Sequence, residues 1–526
     1  MSQNSMSEIA SDQIAVVEAL SPAEEAFERW RKRAGFVLAP LVFFALYVFL
    51  PYHLFPGKLE QQRPPHHLAA IMAMVVVMWI TECLPMPVTA LLGAAMCVVL
   101  QVGSAKDVFA PFADPLMFLF IGSFMIARAI FLHRLDKRLA FGVLSLPGVG
   151  ARPGRILFAF GAVTAFISAW ISNTATTAMM FAIGMSILNF LFEQEKQGGP
   201  KINRRYATGL MLITTFAASV GGLATPIGTP PNVIGLGFIR EQLGVQFSFF
   251  KWCVIGVPVV VVLFLWMATY LNYFCKAGVT EIRGSHEMLV RERDRLGPWT
   301  TGQASTLIAF LVTVGLWISS GVVAIVAGEN SAAYKWWSSV MPEGVAAIIG
   351  AMLLFVLPGT ARGERAITWG EAVKIDWGVV LLYGGGFALG VMSFKVGLAA
   401  VVGRGLIGLI PGQASSLSML VAATIVAVLV SETTSNTASA NMVVPVVIAL
   451  ARTAGIDPLE PALGATFGAS MGFMLPVSTP CNAIVYGSGY VPIGRMVKYG
   501  LLLDVVGTVV IIVMVRALVP LLRTFG

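Results

Sequence analysis

Long apolar segments alternate with short polar ones along almost the whole chain. After a polar stretch at 1–33, apolar runs of about 20 residues, the length that a bilayer requires, recur up to the C-terminus. This pattern predicts an all-α polytopic membrane protein. Eleven transmembrane helices are predicted, at 34–50, 66–84, 87–102, 112–132, 205–239, 247–275, 300–327, 340–358, 376–400, 462–490 and 496–522.

Two further apolar stretches, at about 154–191 and 415–452, are too long for a single span. Each has a polar cluster at its centre, Ser172 to Thr174 in the first and Ser435 to Thr437 in the second. Backbone that leaves the helical conformation at membrane depth is tolerated only where it is buried or lines a cavity. We therefore predict a re-entrant hairpin of two half-length helices at each stretch.

Composition supports a membrane protein. The 526 residues are 57% hydrophobic and only 12% charged, whereas an average soluble domain has about 25% charged residues. The net charge of +8 comes from basic residues that lie in the loops, which indicates membrane orientation and not a nucleic-acid partner. The basic cluster at 29–33 predicts a cytoplasmic N-terminus. With eleven spans the C-terminus is then outside, in a cell (inner) membrane.

The two halves of the chain resemble each other. Four pairs of segments match in the same order: 88–96 with 345–352, 114–122 with 376–384, 171–175 with 434–438, and 228–232 with 478–482. The offsets, 257, 262, 263 and 250 residues, are nearly constant. An odd number of spans separates equivalent positions, so the second copy starts on the opposite side of the membrane. This predicts an inverted-topology repeat, a hallmark of secondary transporters.

The two polar clusters favour anion binding. Where a helix is broken, its second half offers free N–H groups and the positive end of a dipole. Ser, Thr and Asn are also good N-cap residues, and a carboxylate can dock at such a terminus. Two facing tips would suit an anion with a charged group at each end. A structural role as helix caps or helix–helix contacts is the alternative.

Two proline motifs, Gly228 to Asn232 and Ser478 to Asn482, interrupt the predicted spans 205–239 and 462–490. Proline removes a helix N–H, so carbonyl groups just before it lose their partners. Unwound carbonyls and half-helix ends are typical Na⁺ ligands in transporters. A simple proline kink is the alternative, which the recurrence of the motif makes weaker.

The sequence lacks the motifs of common enzymes and of ATP-driven pumps. No zinc-protease, serine-hydrolase or Walker motif occurs, so we expect no enzyme, no cofactor and no transition metal. Neither the tips nor the proline motifs contain an acid. Glu432 and Glu82 are the nearest acidic residues, and we expect them to be structural partners and not proton relays.

Paired Ser-Asn-Thr tips, each followed by a Thr-Pro break, resemble the divalent anion:sodium symporter family, which includes the INDY-type dicarboxylate and citrate transporters. The resemblance implies an elevator-type transporter that forms a homodimer. A cytoplasmic tail, 1–33, would precede the scaffold helices, 34–132 and 300–400. The moving transport domain would comprise 154–275 and 415–526, each with a hairpin, a broken helix and the span that follows.

The resemblance also implies two sodium sites and one substrate site. The first sodium site would use Ser168, Ser172, Asn173 and the carbonyl of Gly228, and the second would use Ser431, Thr434, Asn436 and the carbonyl of Ser478. The substrate-binding residues would be Ser172, Asn173, Thr174, Thr229, Ser435, Asn436, Thr437, Thr479 and Pro480. Cys481 departs from the first motif, which has Pro231 at the equivalent position.

The function expected from the resemblance is Na⁺-coupled transport of C4-dicarboxylates such as succinate, malate and fumarate. Two intact tips favour a dicarboxylate over sulfate. An exchanger of the same fold and a transporter of citrate or another divalent anion remain open. An anion channel would need rings of polar or basic residues along a pore, and the sequence has two compact motifs instead. The expected partners are the dicarboxylate, Na⁺, the lipid bilayer and a second copy of the chain.

Overall fold

The computed structural model describes residues 22–282, 284–407 and 415–524. These residues form helices joined by short loops, and they contain no β-strand beyond an isolated bridge between Pro358 and Arg365. The helices of the first half are α1 (Pro22–Phe49), α2 (Leu59–Thr81), α3 (Met86–Val99), α4 (Ala105–Phe109), α5 (Pro115–Leu132), α6 (Leu135–Leu144), α7 (Pro153–Ser168), α8 (Asn173–Lys196), α9 (Arg204–Gly221), α10 (Pro230–Leu243) and α11 (Phe249–Phe274).

The second half continues the helical pattern. Its helices are α12 (Ser285–Asp294), α13 (Thr301–Ala327), α14 (Ala332–Val340), α15 (Glu343–Val356), α16 (Trp369–Ala372), α17 (Trp377–Lys395), α18 (Leu398–Ile407), α19 (Ser416–Thr433), α20 (Asn436–Thr453), α21 (Leu459–Gly468), α22 (Pro480–Tyr486) and α23 (Ile493–Thr524). Most of the predicted polar tail, 1–33, lies outside the described residues.

Nine of the described helices are long and apolar enough to cross a membrane, or ten if the bent pair α14 and α15 is one span. The difference from the predicted eleven has a physical reason. The predicted spans 205–239 and 462–490 are each two short helices because a proline motif breaks them, and α3 has only 14 residues. Conversely, α8 and α19, which belong to the predicted hairpins, are long enough to count. The number of true crossings therefore stays a prediction.

Each predicted hairpin turns back on itself. In the second, the Ser439 hydroxyl donates to the carbonyl of Ala427 at 2.9 Å, although 12 residues separate them. In the first, a Cβ atom at Gly184 would lie 3.4 Å from the ring of Phe160. In one continuous helix these two residues would be about 36 Å apart. The helices on either side of each polar cluster therefore lie side by side.

Serine caps fix where the second helix of each hairpin begins. The Ser172 hydroxyl accepts from the N–H of Ala175 at 3.3 Å, and the Ser435 hydroxyl accepts from the N–H of Ala438 at 3.2 Å. Each bond satisfies one of the N–H groups that a helix start leaves without a partner. The two polar clusters thus lie at helix N-termini, as predicted.

Small residues let the helices of the predicted scaffold approach closely. A Cβ atom at Gly122 of α5 would lie 2.5 Å from the backbone of Ala347 in α15, and one at Gly385 of α17 would lie 2.6 Å from Cβ of Ala90 in α3. Ala90 and Ala347 are equivalent in the sequence repeat, and Gly385 is one residue from the equivalent of Gly122. Helix pairs from different halves therefore pack through the same kind of contact.

We expect Gly122→Ala to destabilise the protein by about 1–3 kcal/mol, the usual cost of overpacking. The added methyl group would meet backbone atoms of Ala347, which cannot move aside without separating α5 from α15. The measurement is the thermal unfolding of the purified protein in detergent. Gly315→Ala in α13 is the matched control, because no atom lies within 4 Å of its Cβ position. Equal stability of the two variants would contradict this account of the scaffold.

Candidate functional site

The first tip gathers four oxygen atoms at the break between α7 and α8. The side-chain oxygen of Asn173 lies 2.7 Å from the hydroxyl of Ser168, which is fully buried. It also lies 3.0 Å from the carbonyl oxygen of Ala218 and 3.2 Å from that of Gly228. A half-turn of the amide would place its nitrogen there as a donor to the same atoms. With the oxygen in place, the four atoms form the kind of set that binds a hard cation.

The second tip repeats the contact between serine and asparagine. The Ser431 hydroxyl, also fully buried, lies 2.9 Å from the side-chain oxygen of Asn436 and 2.8 Å from the carbonyl oxygen of Ala469. The serine and the asparagine are again five residues apart. Ser478 is buried nearby, and its hydroxyl donates to the carbonyl of Leu475 at 2.7 Å. Thr434 instead directs its hydroxyl to the carbonyl of Val430, one turn earlier in its own helix, at 2.7 Å.

Two glycines that the sequence reasoning missed lie against these tips. A Cβ atom at Gly222 would lie 2.4 Å from the side-chain oxygen of Asn173, and one at Gly472 would lie 3.3 Å from that of Asn436. Each glycine precedes the proline motif of its own half by six residues. This shared spacing is the signal that could have identified them, because any larger residue would push the broken segment off the tip.

The last asparagine of each proline motif braces the unwound segment before it. The Asn232 amide donates to the carbonyls of Gly222 and Thr225 at 2.9 and 2.8 Å. The Asn482 amide donates to those of Gly472 and Leu475 at 3.1 and 3.0 Å. In both cases the acceptors lie ten and seven residues earlier. These bonds satisfy carbonyl groups that the break leaves without helical partners.

Threonine and proline begin the short helices after each break. Thr229 is the N-cap of α10 and Thr479 is the N-cap of α22, both buried and extended, with proline at the first helical position. The Thr479 hydroxyl accepts from the N–H of Cys481 at 3.4 Å, while Pro480 is exposed. The proline has no N–H to leave unpaired, so this position suits it.

Cys481 brings the first tip together with the second broken helix. It is fully buried, and its thiol faces the hydroxyl groups of Thr174 and Thr177 in α8, Ser219 in α9 and Thr479. Thr174 itself remains exposed on its other side. The short helix α22 thus packs against the hairpin of the other half, and α10 likewise packs against α20.

The second tip also meets the predicted scaffold. The Ser435 hydroxyl lies 3.2 Å from the sulfur of Met86, the first residue of α3. Asn436 and Thr437 are half-buried beside it. Asn441, one turn further along α20, lies against Gly386 of α17, where a Cβ atom would be 2.2 Å from its side-chain oxygen. The tip is therefore held between its own broken helix and the scaffold.

Several acidic and basic side chains pair with each other. Glu82 accepts from Arg31 at 2.8 Å, and Lys395 lies 2.9 Å from Asp107. Arg128 bridges to Glu371, whose pKa is lowered by hydrogen bonds from Lys374 and Arg128. Glu432 has no basic partner among the described ion pairs, and it contacts the second broken segment.

The sequence is similar to known transporters over nearly its full length. A family model described as the sodium:sulfate symporter transmembrane region matches residues 31–524. The sodium-dependent dicarboxylate transporter SdcS of Staphylococcus saprophyticus is 33% identical over 494 residues, covering 92% of this chain and 91% of that protein. SdcS of Staphylococcus aureus strain USA300 is 30% identical over 492 residues, covering 93% and 91%.

Solved structures share the fold at low sequence identity. The YdaH transporter of Alcanivorax borkumensis aligns with a TM-score of 0.56 at 12% identity, covering 88% of this chain and 100% of that chain. MtrF of Neisseria gonorrhoeae, described with a class of antimetabolite efflux pumps, aligns with a TM-score of 0.54 at 12% identity, covering 90% and 96%. These two structures support the helical architecture alone.

We expect Asn173→Ala and Asn436→Ala each to abolish sodium-dependent uptake while the protein still inserts in the membrane. Each change removes the side-chain oxygen at the centre of one oxygen set. The measurement is uptake of radiolabelled succinate by liposomes with and without a sodium gradient, normalised to the amount of inserted protein.

Ser439→Ala is the matched control for Asn436→Ala, because it removes a buried hydrogen bond of about 1 kcal/mol from the same hairpin, one turn beyond the tip. It should reduce stability and leave the sodium dependence unchanged. If either asparagine variant shows the sodium dependence of the wild type, that asparagine does not bind sodium.

Proposed function

The chain belongs to the sodium:sulfate symporter transmembrane-region family, and from that premise we propose that it is a secondary active transporter that couples C4-dicarboxylate uptake to sodium. Membership makes it a multi-pass membrane transporter and not an enzyme, and the family resemblance noted in the sequence is thereby confirmed. The relatives named as sodium-dependent dicarboxylate transporters support the choice of ion and substrate class. Succinate, malate and fumarate are the substrates we propose.

The proposal of sodium binding rests on the contact between a serine hydroxyl and an asparagine side-chain oxygen that occurs at both tips. Asn173 faces two backbone carbonyls and the hydroxyl of Ser168, and Asn436 stands in the same relation to Ser431. The serine hydroxyl donates to the asparagine oxygen in both sets. Around Asn173, either a turned amide or a bound cation relieves the repulsion between the side-chain oxygen and the two carbonyls. Sodium is the cation that unwound carbonyls and half-helix ends bind in transporters. We propose one Na⁺ at each set.

The substrate part depends on the helix N-termini. Ser172 and Ser435 cap helices whose first N–H groups point out of the hairpin tips. Thr174 is exposed on one side and contacts the Cys481 thiol on the other, and this thiol also contacts Thr479. A carboxylate at each tip would gain N–H and hydroxyl donors. We therefore keep the full predicted substrate set, Ser172, Asn173, Thr174, Thr229, Ser435, Asn436, Thr437, Thr479 and Pro480, as part of the proposal.

An exchanger of the same fold is the nearest alternative, since exchange can use the same pocket. Uptake by liposomes under a sodium gradient, a proton gradient, or internal succinate without sodium separates the two. Sodium-driven accumulation supports the symporter, and uptake that needs only internal dicarboxylate supports the exchanger. Competition by citrate and sulfate in the same assay defines the anion class, and flux that does not saturate would support a channel.

We further propose an elevator mechanism, in which 154–275 and 415–526 move as one body against 34–132 and 300–400. The cross-packing of α22 on α8 and of α10 on α20 supports one compact moving body.

A homodimer, a cytoplasmic N-terminus, an external C-terminus and a cell (inner) membrane location complete the proposal. The basic cluster at 29–33 supports the orientation.

Succinate uptake should fall as the pH is lowered from about 7 to about 5 at constant total succinate. Carboxyl groups of this kind titrate over about pH 4 to 6, so the dianion is depleted, and donors at both tips bind the dianion better. The measurement is the initial rate at saturating sodium, below half-saturation by succinate. A rate that rises over this range would indicate a monoprotonated substrate or proton coupling.

A cross-link between the two proposed bodies should block transport. Arg240 of α10 bridges to Asp114, the N-cap of α5, which also accepts from the hydroxyl of Tyr383 at 3.2 Å. With the five native cysteines replaced by serine, mercuric ions should cross-link the variant with Asp114→Cys and Arg240→Cys. Uptake should then be lost and should return after thiol reduction, because the bridge joins the scaffold to the transport domain.

Thr208→Cys with Arg495→Cys is the matched control. Arg495 donates to the Thr208 hydroxyl at 2.9 Å, and both residues belong to the proposed moving body. Cross-linking this pair should leave uptake intact. If both cross-links leave uptake unchanged, the two bodies do not move as proposed.

A further inference from the structure

The thiol of Cys481 lies among hydroxyl groups behind the first tip. Cys481 is fully buried near the start of α22. Its thiol faces the hydroxyl groups of Thr174 and Thr177 in α8, Ser219 in α9 and Thr479. Thr174 and Thr479 belong to the proposed substrate site, so the thiol contacts that site from the protein interior.

The hydroxyl groups of Thr177 and Ser219 have no other partner. Both side chains are at most 1% exposed, and neither hydroxyl has a nitrogen or oxygen partner. A buried threonine in a helix usually donates to the carbonyl one turn earlier, as Thr214 of α9 does to Leu210 at 2.7 Å. Thr177 and Ser219 do not form this bond, and the thiol is the polar group that both of them face.

The fold does not require a thiol and a hydroxyl group at these positions, because the other half of the chain lacks them. The sequence repeat pairs Cys481 with Pro231 and Thr177 with Ala440. Proline and alanine have no polar side-chain group, yet α10 packs on α20 just as α22 packs on α8. The polar contacts of Cys481 therefore serve the first tip and not the packing of the helices.

The count of donors and acceptors gives these hydrogen bonds a direction. A hydroxyl group has one proton and two lone pairs, and a thiol can donate and accept weakly. Thr177 and Ser219 have no oxygen acceptor, so their protons point to the sulfur. The S–H proton then needs an oxygen. Thr479 already accepts from the N–H of Cys481 at 3.4 Å, which leaves the oxygen of Thr174.

This direction decides what Thr174 presents to a ligand. When its oxygen accepts the S–H, its own proton turns away from the thiol. The other side of Thr174 is exposed, at the start of the helix that Ser172 caps. An ionised carboxylate only accepts hydrogen bonds, so it binds a hydroxyl group that presents its proton and is repelled by one that presents its lone pairs.

We propose that Cys481 is a positioning residue for the substrate: its S–H donates to Thr174 and so holds the Thr174 hydroxyl as a donor to a substrate carboxylate. Thr177 and Ser219 hold the sulfur in turn, and the thiol itself does not touch the substrate. The effect on the carboxylate rests on the proposed function, whereas the bond between the thiol and Thr174 does not.

Succinate uptake tests the positioning. Cys481→Ala should raise the KM for succinate about fivefold, the effect of one hydrogen bond. The maximal rate and the half-saturating sodium concentration should stay within about twofold of the wild type, because the thiol acts on the substrate alone. Cys481→Ser should keep the KM within about twofold as well, since a hydroxyl group donates and accepts at the same place. The measurement is the initial rate in liposomes, normalised to inserted protein.

Thr214→Val is the matched control. It removes a buried hydrogen bond from α9, five residues before Ser219, so it should lower stability and leave the KM unchanged. If Cys481→Ala changes the KM no more than this control does, the thiol does not position the substrate. The same conclusion follows if Cys481→Ser behaves like Cys481→Ala.

Infrared spectroscopy tests the thiol bond without transport. When Cys83, Cys97, Cys253 and Cys275 are replaced by alanine, the S–H stretching band reports on Cys481 alone. We expect this band at the lower frequency of a hydrogen-bonded thiol. Thr174→Val should shift it towards the frequency of a free thiol, and Thr214→Val should leave it in place. Succinate with sodium should shift the band of the single-cysteine protein further down, because a charged acceptor on Thr174 strengthens the bond behind it.

A band at the frequency of a free thiol would overturn the proposal, as would a band that Thr174→Val does not move. If Cys481→Ala does not insert in the membrane, the shift of the band on addition of succinate decides the positioning. If the protein neither transports nor binds any dicarboxylate, the proposed function fails, and the spectrum of Thr174→Val still decides whether the thiol donates to Thr174.

Discussion

Unwound backbone inside an apolar medium is the constraint on which the rest of this structure depends. Each break in a membrane helix exposes N–H and carbonyl groups that water cannot reach. Here the same solution occurs twice: a serine caps the new helix, an asparagine braces the unwound segment, and a glycine lets the segment approach the hairpin tip. The carbonyls of Ala218 and Gly228 face Asn173 at the first tip, and that of Ala469 faces Ser431 at the second, so the same breaks that folding must satisfy also bring oxygen atoms together.

The helices around these breaks pack closely through small residues. Glycine and alanine at the contacts between α5 and α15 and between α3 and α17 bring backbones together without large side chains. Such contacts supply dispersion energy where the lipid provides no hydrophobic driving force between helices. The short helices α10 and α22 instead lie against the hairpin of the other half. Each half therefore contributes a short helix that packs against the hairpin of the other.

The sequence predicts the local features of the site well and its long-range contacts poorly. Serine caps, hairpin turns and proline breaks follow from residue types at short spacing, and Ser172 and Ser435 lie at helix starts as expected. Thr229 and Thr479 are the N-caps of the helices after the breaks, which the sequence reasoning did not predict. Gly222 and Gly472 were missed because a glycine in an apolar run carries no signal until its neighbour is known. The hydrogen bond from the Thr434 hydroxyl to the Val430 carbonyl could not be predicted either, because a threonine hydroxyl can bind a carbonyl of its own helix as readily as a ligand.

Charge compensation separates the acids of this protein into two kinds. Glu82, Glu371 and Asp114 each bind an arginine. Glu432 has another acid as its neighbour, 72 residues away in the sequence, and no linear pattern could have paired them. An acid beside a basic group ties two parts of the fold together. An acid beside an acid depends on backbone donors instead: Glu432 accepts from the N–H groups of Phe473 and Met474, so it holds the unwound segment in place.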